Sequence, residues 1–222
     1  MPVPPSPKER IILAAEALFA EHGLDGASLR QISAAAGSAN NTAVQYHFGT
    51  KEQLIKAIFE YRLPYLHERR DLLAAQHRPD DLRSWVECYV LPILEQGEQE
   101  GSHYLGFVAN LHSHGSREVF AQFAPSYLAS SKAFQERFRS FLEHVPEPLR
   151  THRISQAIAF AVHAAADRER ARAQGQEVLP FAAHVADLLD GLTGFLTAPV
   201  SPAALAASKD VGVGAMGWLL VP

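Results

Sequence analysis

Cysteine is almost absent from the sequence, since Cys88 is the only one among 222 residues. One thiol can form neither an intramolecular disulfide nor a cysteine-based metal centre, so the composition favours a reducing compartment. The N-terminus, MPVPPSPKER, lacks the apolar run of a signal peptide. No stretch of about 18 or more apolar residues occurs, so no membrane span is expected. These absences predict a cytoplasmic protein without a membrane partner.

An excess of basic charge is also missing. The chain has 20 Lys and Arg against 24 Asp and Glu, which gives a formal charge of -4. Any contact with nucleic acid must therefore come from a local patch, because the whole chain is no polycation. With 47% hydrophobic residues, the chain can bury one sizeable core, or a small domain beside a larger one.

The common catalytic signatures are missing as well. The sequence holds no GxSxG elbow, no P-loop and no HExxH. Among the eleven His, His112 and His114 are two positions apart, which puts them on different faces of a helix. The sequence therefore predicts no enzyme, no metal site and no cofactor. A helical protein with an enzymatic or purely structural partner-binding role is the alternative to the function inferred below.

Three helices near the N-terminus are specified by their first residues. Each begins with the Ser/Thr-x-x-Glu/Gln pattern of a capping box, which occurs at residues 6–9, 28–31 and 50–53. Apolar residues recur at helical spacing after each box. A fourth, very short helix over residues 42–48 fits between the second and third boxes.

Longer helices dominate the remaining chain. Pro64 is expected to interrupt or kink the segment from residue 51 to about residue 75. Apolar residues recur at helical spacing beyond it, with neither β-hairpin signals nor alternating strands and helices. The pattern predicts an all-α fold, with a small N-terminal domain over residues 1–50 and a larger helical domain over residues 51–222.

The segment GSANNTAVQYHFGTKEQL, residues 37–54, carries few charges but several amide and aromatic polar groups. No acid occurs between Asp25 and Glu52. Two short helices joined by a turn at Gly37 form a helix-turn-helix. In such a unit the second helix enters the major groove of DNA while the first crosses the backbone.

Within the predicted second helix, Val44 and Phe48 lie four positions apart and can pack inward. Polar residues then face outward; they are Asn40, Asn41, Thr42, Gln45 and Tyr46. Amides can bond bidentately to adenine, and the Tyr46 and His47 side chains can reach phosphate oxygens. Alternatives stay open: the two Asn side chains can equally form a cap or a turn, Tyr46 can pack on its own domain, and His47 can be a neutral surface residue.

The runs LFAEHGLDGASLRQISAAAG and YHFGTKEQLIKAIFE resemble the TetR family of bacterial transcriptional regulators, over roughly residues 8–62. The resemblance implies an all-α homodimer with an N-terminal three-helix helix-turn-helix DNA-binding domain and a larger helical ligand-binding and dimerisation domain. It implies a repressor released from a pseudo-palindromic, double-stranded DNA operator by a small-molecule effector. It also implies DNA-surface positions, namely Ser28, Arg30, Thr42, Tyr46, His47 and Lys51.

One feature of the turn departs from the family pattern. The spacing from Gly37 to His47 is one residue longer than is usual, and the extra residue falls in the run SANN. A longer turn changes the register in which the second helix presents its side chains to bases.

A ligand pocket is predicted among the helices of residues 81–163. Pockets between helices are mostly apolar with a few polar groups, which gives the candidates Trp85, Tyr89, Tyr104, Phe107, His112, Phe123, Tyr127 and His163. Aromatic side chains of this kind are more often core than pocket lining, and His112 and His163 would be the polar points of an otherwise apolar pocket.

A dimer interface is predicted from two helices near the C-terminus, over residues 154–170 and 180–196. Their apolar faces can build a four-helix bundle between subunits, and small side chains allow close helix approach. The predicted contact residues are Ala157, Ala161, Ala164, Val185, Leu188, Leu192 and Phe195.

Overall fold

The computed structural model describes residues 4–38, 43–113 and 125–209, with side chains left out at 113 and 125–131. The described residues form helices and no strand, which confirms the all-α prediction. None of these helices has the length and apolarity to cross a membrane. In chain order they are α1 (Pro7–Gly26), α2 (Leu29–Ala35), α3 (Ala43–Phe48), α4 (Lys51–His77), α5 (Leu82–Glu98), α6 (Tyr104–Ser113), α7 (Pro125–Phe141), α8 (Leu149–Ala173), α9 (Phe181–Thr197) and α10 (Pro202–Ala207).

The first helices begin where their capping residues predict. Ser6 and Ser28 are the N-caps of α1 and α2, and each forms a complete capping box with the residue three positions later. Thr50 is the N-cap of α4, where its hydroxyl oxygen accepts the Gln53 N–H at 3.3 Å. Each cap pairs an N–H group that the first helical turn leaves without an intrahelical partner.

Helix α4 runs through Pro64, so the predicted interruption is wrong and the alternative, a kink, stays a prediction. Proline removes the N–H that would bond to the carbonyl of Glu60, one turn earlier. Both residues are exposed, so water can hydrate that carbonyl and the helix continues. One long element therefore leads from the N-terminal helices into the larger helical domain.

Helices α1, α2 and α3 pack around a shared apolar centre. Phe19 and Ile32 are fully buried, and Val44 and Phe48 of α3 are at most 9% exposed. Since these two α3 residues are one helical turn apart, they fix which face of this short helix points outward.

Helix α6 ties the N-terminal helices to the rest of the chain. The rings of Phe19 and Phe107 lie 6.0 Å apart, and the Asn110 amide donates to the carbonyls of Phe19 and Ala20, both at 2.9 Å. On its other side α6 packs on α8, while α9 lies across α5 and α8. One continuous apolar core therefore joins the helix-turn-helix to the larger helical layer.

Candidate functional site

The outer face of α3 is polar and projects into solvent. Gln45, Tyr46 and His47 are exposed, and Tyr46, at 84%, is the most exposed large hydrophobic residue in the part of the chain that the structure describes. Val44 and Phe48 hold the opposite face against the domain. A single exposed aromatic residue is ordinary on a protein surface, so the polar face as a whole, and not Tyr46 alone, is the candidate interface.

The polar groups on this face are compatible with nucleic acid. The Tyr46 and His47 rings meet edge to face, with centroids 5.1 Å apart, which orients the phenol without burying it. Arg30 of α2 is also exposed. Amide, hydroxyl, imidazole and guanidinium groups are donors suited to base edges and phosphates.

Ser28 and Lys51 use their side chains within the domain. The Ser28 hydroxyl donates to Gln31 Oε1 at 2.7 Å as part of the α2 cap. The Lys51 ammonium donates to the Leu24 carbonyl at 2.6 Å and lies 5.8 Å from the centre of the Phe19 ring. In this structure both side chains are occupied by contacts within the domain. The groups left to contact a phosphate at these two positions are mainly the backbone N–H groups in the first turns of α2 and α4.

Asn40, Asn41 and Thr42 lie outside the described residues, as does most of the SANN run that carries the extra residue. Their predicted DNA contacts stay predictions.

Two of the predicted pocket residues border a small internal cavity. Tyr89 and Tyr104 line a space of about 30 Å³ between α4, α5, α6 and α8, together with Arg70. Burial raises the pKa of the Tyr104 phenol, which therefore stays protonated. The cavity thus combines apolar walls with a guanidinium and a phenol.

Three other pocket candidates occupy different places. Phe107 is fully buried at the junction with α1 and α4, and its ring lies 5.4 Å from that of Phe59. The Trp85 ring stacks on the Phe134 ring, with the two ring centres 4.2 Å apart. His163 is exposed on α8. Phe107 thus packs in the core, half-buried Trp85 packs against it, and His163 faces solvent. Their predicted pocket role stays a prediction.

His112 is buried near the C-terminal end of α6. Burial lowers its pKa to about 4, and the nearby His163 adds to the effect. Within the described part of the chain, neither ring nitrogen of His112 has a hydrogen-bond partner. His112 therefore remains a polar candidate beside the core, whereas Phe123 and the Tyr127 side chain lie outside the described residues.

Three buried charged residues were not among the sequence predictions. Glu16, Arg70 and Glu169 are at most 7% exposed. Each interrupts an apolar stripe at helical spacing, as Arg70 does between Leu66 and Leu73. A charged residue in line with buried leucines was the signal available in the sequence.

Glu169 of α8 is the most perturbed of the described carboxyl groups. Its Oε2 accepts the Gly106 N–H at 2.9 Å, while Oε1 has no hydrogen-bond partner among the described residues. Burial raises its pKa to about 7, against the opposing effect of its hydrogen bonds. It borders an open cleft of about 520 Å³ shared by α1, α6 and α8.

The predicted dimer residues divide into two groups. Ala157, Ala161, Leu188 and Leu192 are buried within their own chain, so their assignment to direct contacts is corrected. Apolar periodicity locates a buried face, but here that face packs on the subunit's own core. Ala164 and Val185 are half-buried and Phe195 is 41% exposed, so the predicted contact stays open for these three.

A small helix-turn-helix with a polar, exposed recognition helix, joined to a larger helical domain, defines the class of DNA-binding transcriptional regulators. Sequence comparison agrees with this class. Residues 11–58 match the family profile described as bacterial regulatory proteins, tetR family, and residues 87–198 match a tetracyclin repressor-like C-terminal domain. The chain belongs to the TetR family. The proteins of this family that it matches are transcriptional regulators and not enzymes.

One curated relative is the HTH-type transcriptional repressor SCO4008 of Streptomyces coelicolor, 32% identical over 84 residues. The match covers 38% of this chain and 41% of that protein. Two solved structures share the fold. The fatty acid degradation regulator FadR from Bacillus halodurans aligns with a TM-score of 0.50 at 15% identity, covering 87% of this chain and 97% of FadR.

The second structure is native NalD, the secondary repressor of the MexAB-OprM multidrug efflux pump in Pseudomonas aeruginosa. It aligns with a TM-score of 0.50 at 21% identity, covering 84% of this chain and 94% of NalD. At these identities the two structures support the fold and say nothing of the effector.

Proposed function

We propose that the protein is a transcriptional repressor that binds a pseudo-palindromic operator as a homodimer and leaves it when a small molecule binds. The observation that carries the proposal is the polar face of α3. Gln45, Tyr46 and His47 stand in solvent on a helix whose other face is anchored by Val44 and Phe48. Residues 1–50 would form the DNA-binding domain, and residues 51–222 the effector and dimerisation domain.

In the proposed complex α3 lies in the major groove. Gln45 reads base edges through its amide, with the preceding Asn40, Asn41 and Thr42 close to the same groove. Tyr46, His47 and Arg30 contact phosphates and fix the register, as do the N–H groups at the start of α4. Because the operator would lie on a bacterial chromosome, the proposal implies a cytoplasmic location.

The proposed dimer forms through the outer faces of α8 and α9. Phe160 of α8 is 57% exposed and Phe195 of α9 is 41% exposed. Ala164 lies four positions after Phe160 and is half-buried. At Gly191, four positions before Phe195, a methyl group in place of the hydrogen would meet no atom of its own chain within 4 Å. Large apolar side chains beside small ones suit a close four-helix contact between two copies.

If effector binding changes the position of α3, the movement must pass through the helices of the larger domain that contact α1, chiefly α4 and α6. The Asn110 amide holds the carbonyls at Phe19 and Ala20, and the buried Glu16 of α1 is paired with Arg62 of α4. A ligand among α4, α5, α6 and α8 would act by preferring one arrangement of α4 and α6 over another. It can shift DNA binding only by its differential affinity for the two arrangements.

Selection of bound duplexes from a random DNA pool tests the proposal. We expect enrichment of an inverted repeat, with an affinity whose logarithm falls linearly as the logarithm of salt concentration rises. A library of metabolites and drugs is then screened for compounds that release the selected duplex. Retention of no sequence at low salt would contradict DNA binding, and turnover of a library compound would favour the enzymatic alternative.

A further inference from the structure

Arg70 carries a permanent positive charge into the interior of the helical domain. Its residue exposure is 4%, on the face of α4 that packs against α5. Buried His112 and Glu169 can escape their charge by losing or gaining a proton, but a guanidinium stays protonated in proteins. A buried cation with no counter-charge is strongly destabilising. The chain therefore carries an electrostatic penalty at Arg70 that a partner would remove.

Among the described residues, the groups around Arg70 do not neutralise it. Its Nε donates to the Tyr89 carbonyl at a long 3.4 Å, and its guanidinium carbon lies 3.9 Å from the centre of the Tyr89 ring. Across the described ranges, no carboxylate oxygen lies within 4.0 Å of an Arg70 nitrogen, whereas Arg62 and Arg69 each form an ion pair at 2.8 Å. Arg70 thus presents unused donors of a planar fork suited to a carboxylate.

Space for such a group lies beside the guanidinium. The cavity of about 30 Å³ that Arg70 lines exceeds the 10–15 Å³ or so that one water needs, and about two waters or one carboxylate group would fill it. Tyr104 borders the same cavity, and its protonated phenol is a second donor. A guanidinium and a phenol facing one small space form a receptor for a singly charged oxyanion.

The surroundings also indicate what would be attached to the oxyanion. Tyr89 and Ile158 separate this cavity from a second one of about 10 Å³, and both residues line both spaces. The walls of the second cavity are otherwise apolar, with Val86, Phe138 and Ile154 among them. At about 10 Å³ the second cavity is no larger than one water needs, so an apolar chain enters only by displacing the side chains around it. It then buries hydrocarbon surface while its head group stays at Arg70.

We propose that Arg70 is the anchor for the carboxylate of a small amphiphilic acid, with Tyr104 as a second donor and the hydrocarbon body packed past Tyr89 toward Phe138. That this acid is the effector rests on the proposed function. That the acid binds at Arg70 does not depend on DNA binding. Because Arg70 belongs to α4, the element that also carries Arg62 against α1, an occupied anchor changes the position of α4 relative to the helix-turn-helix.

Calorimetric titration of the full chain with hexanoate and decanoate tests the anchor, with hexan-1-ol and hexylammonium as probes that match the hydrocarbon body but not the charge. We expect saturable binding of the acids, and at least about 30-fold weaker binding of both matched probes, as for the loss of one partner of a buried charge pair. Equal binding of acid and alcohol, or no binding of either acid, would overturn the proposal.

Three variants separate the anchor from a structural role. Arg70→Met should weaken hexanoate binding by at least about 30-fold, while the melting temperature without acid stays equal or rises because an unpaired buried charge is gone. Arg70→Lys keeps the charge without the fork and should bind with intermediate affinity. Glu118 is the acidic residue within residues 114–124, which lie outside the described part of the chain. If it does not pair with Arg70, Glu118→Gln should bind hexanoate like the wild type. A drop in the melting temperature of acid-free Arg70→Met matched by Glu118→Gln would show a structural ion pair and overturn the anchor.

The failures of the two proposals are distinguishable. Hexanoate that binds and releases the selected duplex supports both. Hexanoate that binds through Arg70 but leaves DNA binding unchanged supports the anchor and overturns its role as the effector site. Absence of acid binding in a protein that still retains its duplex overturns the anchor and leaves the proposed DNA-binding function intact.

Discussion

The Arg62 guanidinium holds the buried Glu16 carboxylate by two parallel hydrogen bonds of 2.8 Å, which join α4 to α1. The Glu16 side chain is 1% exposed. Glu16→Gln removes the negative charge and leaves Arg62 unpaired in the interior. We expect the free energy of unfolding to fall by about 3–5 kcal/mol, measured by urea denaturation.

A second pair with the same geometry is the matched control. Arg69 and Glu95 also form two hydrogen bonds of 2.8 Å, but their side chains are 29% and 23% exposed. Because solvent screens this pair, Glu95→Gln should cost about 1 kcal/mol or less. Equal losses in the two variants would mean that burial does not set the strength of the Glu16 contact.

The capping and turn chemistry of the N-terminal helices was predictable from the sequence because it is local. Ser6, Ser28 and Thr50 act on N–H groups three positions away, so the pattern alone specifies where each helix starts. The inward direction of Val44 and Phe48 follows from their spacing in the same way. The partner of Lys51 did not follow, because the carbonyl at Leu24 that accepts its ammonium is distant in sequence.

Glu169 should make stability depend on pH. Its pKa is about 7 in the folded chain against an ordinary 4.5, so its contribution is fully present below pH 4.5 and is lost as pH rises through 7. Glu169→Gln cannot ionise. Relative to the wild type, this variant should therefore gain roughly 2–3 kcal/mol of unfolding free energy between pH 4.5 and 8.

Urea unfolding at several pH values measures this difference. The half-buried His67 and the buried His112 also titrate, but they are present in both proteins and cancel from the comparison. Glu100→Gln, at an exposed position, controls for the general effect of removing one negative charge. A wild-type minus Glu169→Gln difference that stays flat from pH 4.5 to 8 would show that Glu169 titrates normally.

Tyr46→Ala should weaken DNA binding without harming the fold. The side chain is 84% exposed, so unfolding should change by no more than about 0.5 kcal/mol. Loss of a hydrogen bond to a charged phosphate costs about 1.5 kcal/mol, or roughly tenfold in affinity. Fluorescence anisotropy should show this loss for operator and non-operator duplexes alike.

Tyr65→Ala is the control for that measurement, since Tyr65 is also exposed, at 43%, but lies on α4 away from the helix-turn-helix. It should leave both affinities unchanged. A loss in Tyr46→Ala confined to one base sequence would assign the phenol to base reading and not to phosphate contact.

Phe160→Glu should split the proposed dimer. The ring is 57% exposed in the single chain, so a charge there is tolerated in the monomer but is buried without a partner in the four-helix contact. Light scattering should report half the wild-type mass. Leu72→Glu, at a leucine 47% exposed on α4, should keep the dimer mass. An unchanged mass for Phe160→Glu would place the interface elsewhere.

The dimer face shows what periodicity cannot distinguish. Leu188 and Leu192 recur at the spacing of an apolar stripe, and that stripe is indeed buried, but against the subunit's own helices. Phe160, which stands in solvent, is not set apart by its spacing. Whether an apolar side chain meets its own chain or a second copy depends on the packing of α8, α9 and α5, which no local pattern encodes. The charge of Arg70 on a buried stripe was visible in the sequence, but its surroundings were not, because they depend on how α4 packs against α5, α6 and α8.

Affinity cleavage from α3 tests the central claim, that this nearly uncharged face meets nucleotides. Iron-EDTA is attached to Tyr46→Cys; the native Cys88 is 1% exposed and should not react. Cleavage of the selected duplex should occur at two sites on one face, about one helical turn or 34 Å apart. The same label on Glu100→Cys should cut little. No cleavage from position 46, or cleavage no stronger than from position 100 in a bound complex, would contradict the account.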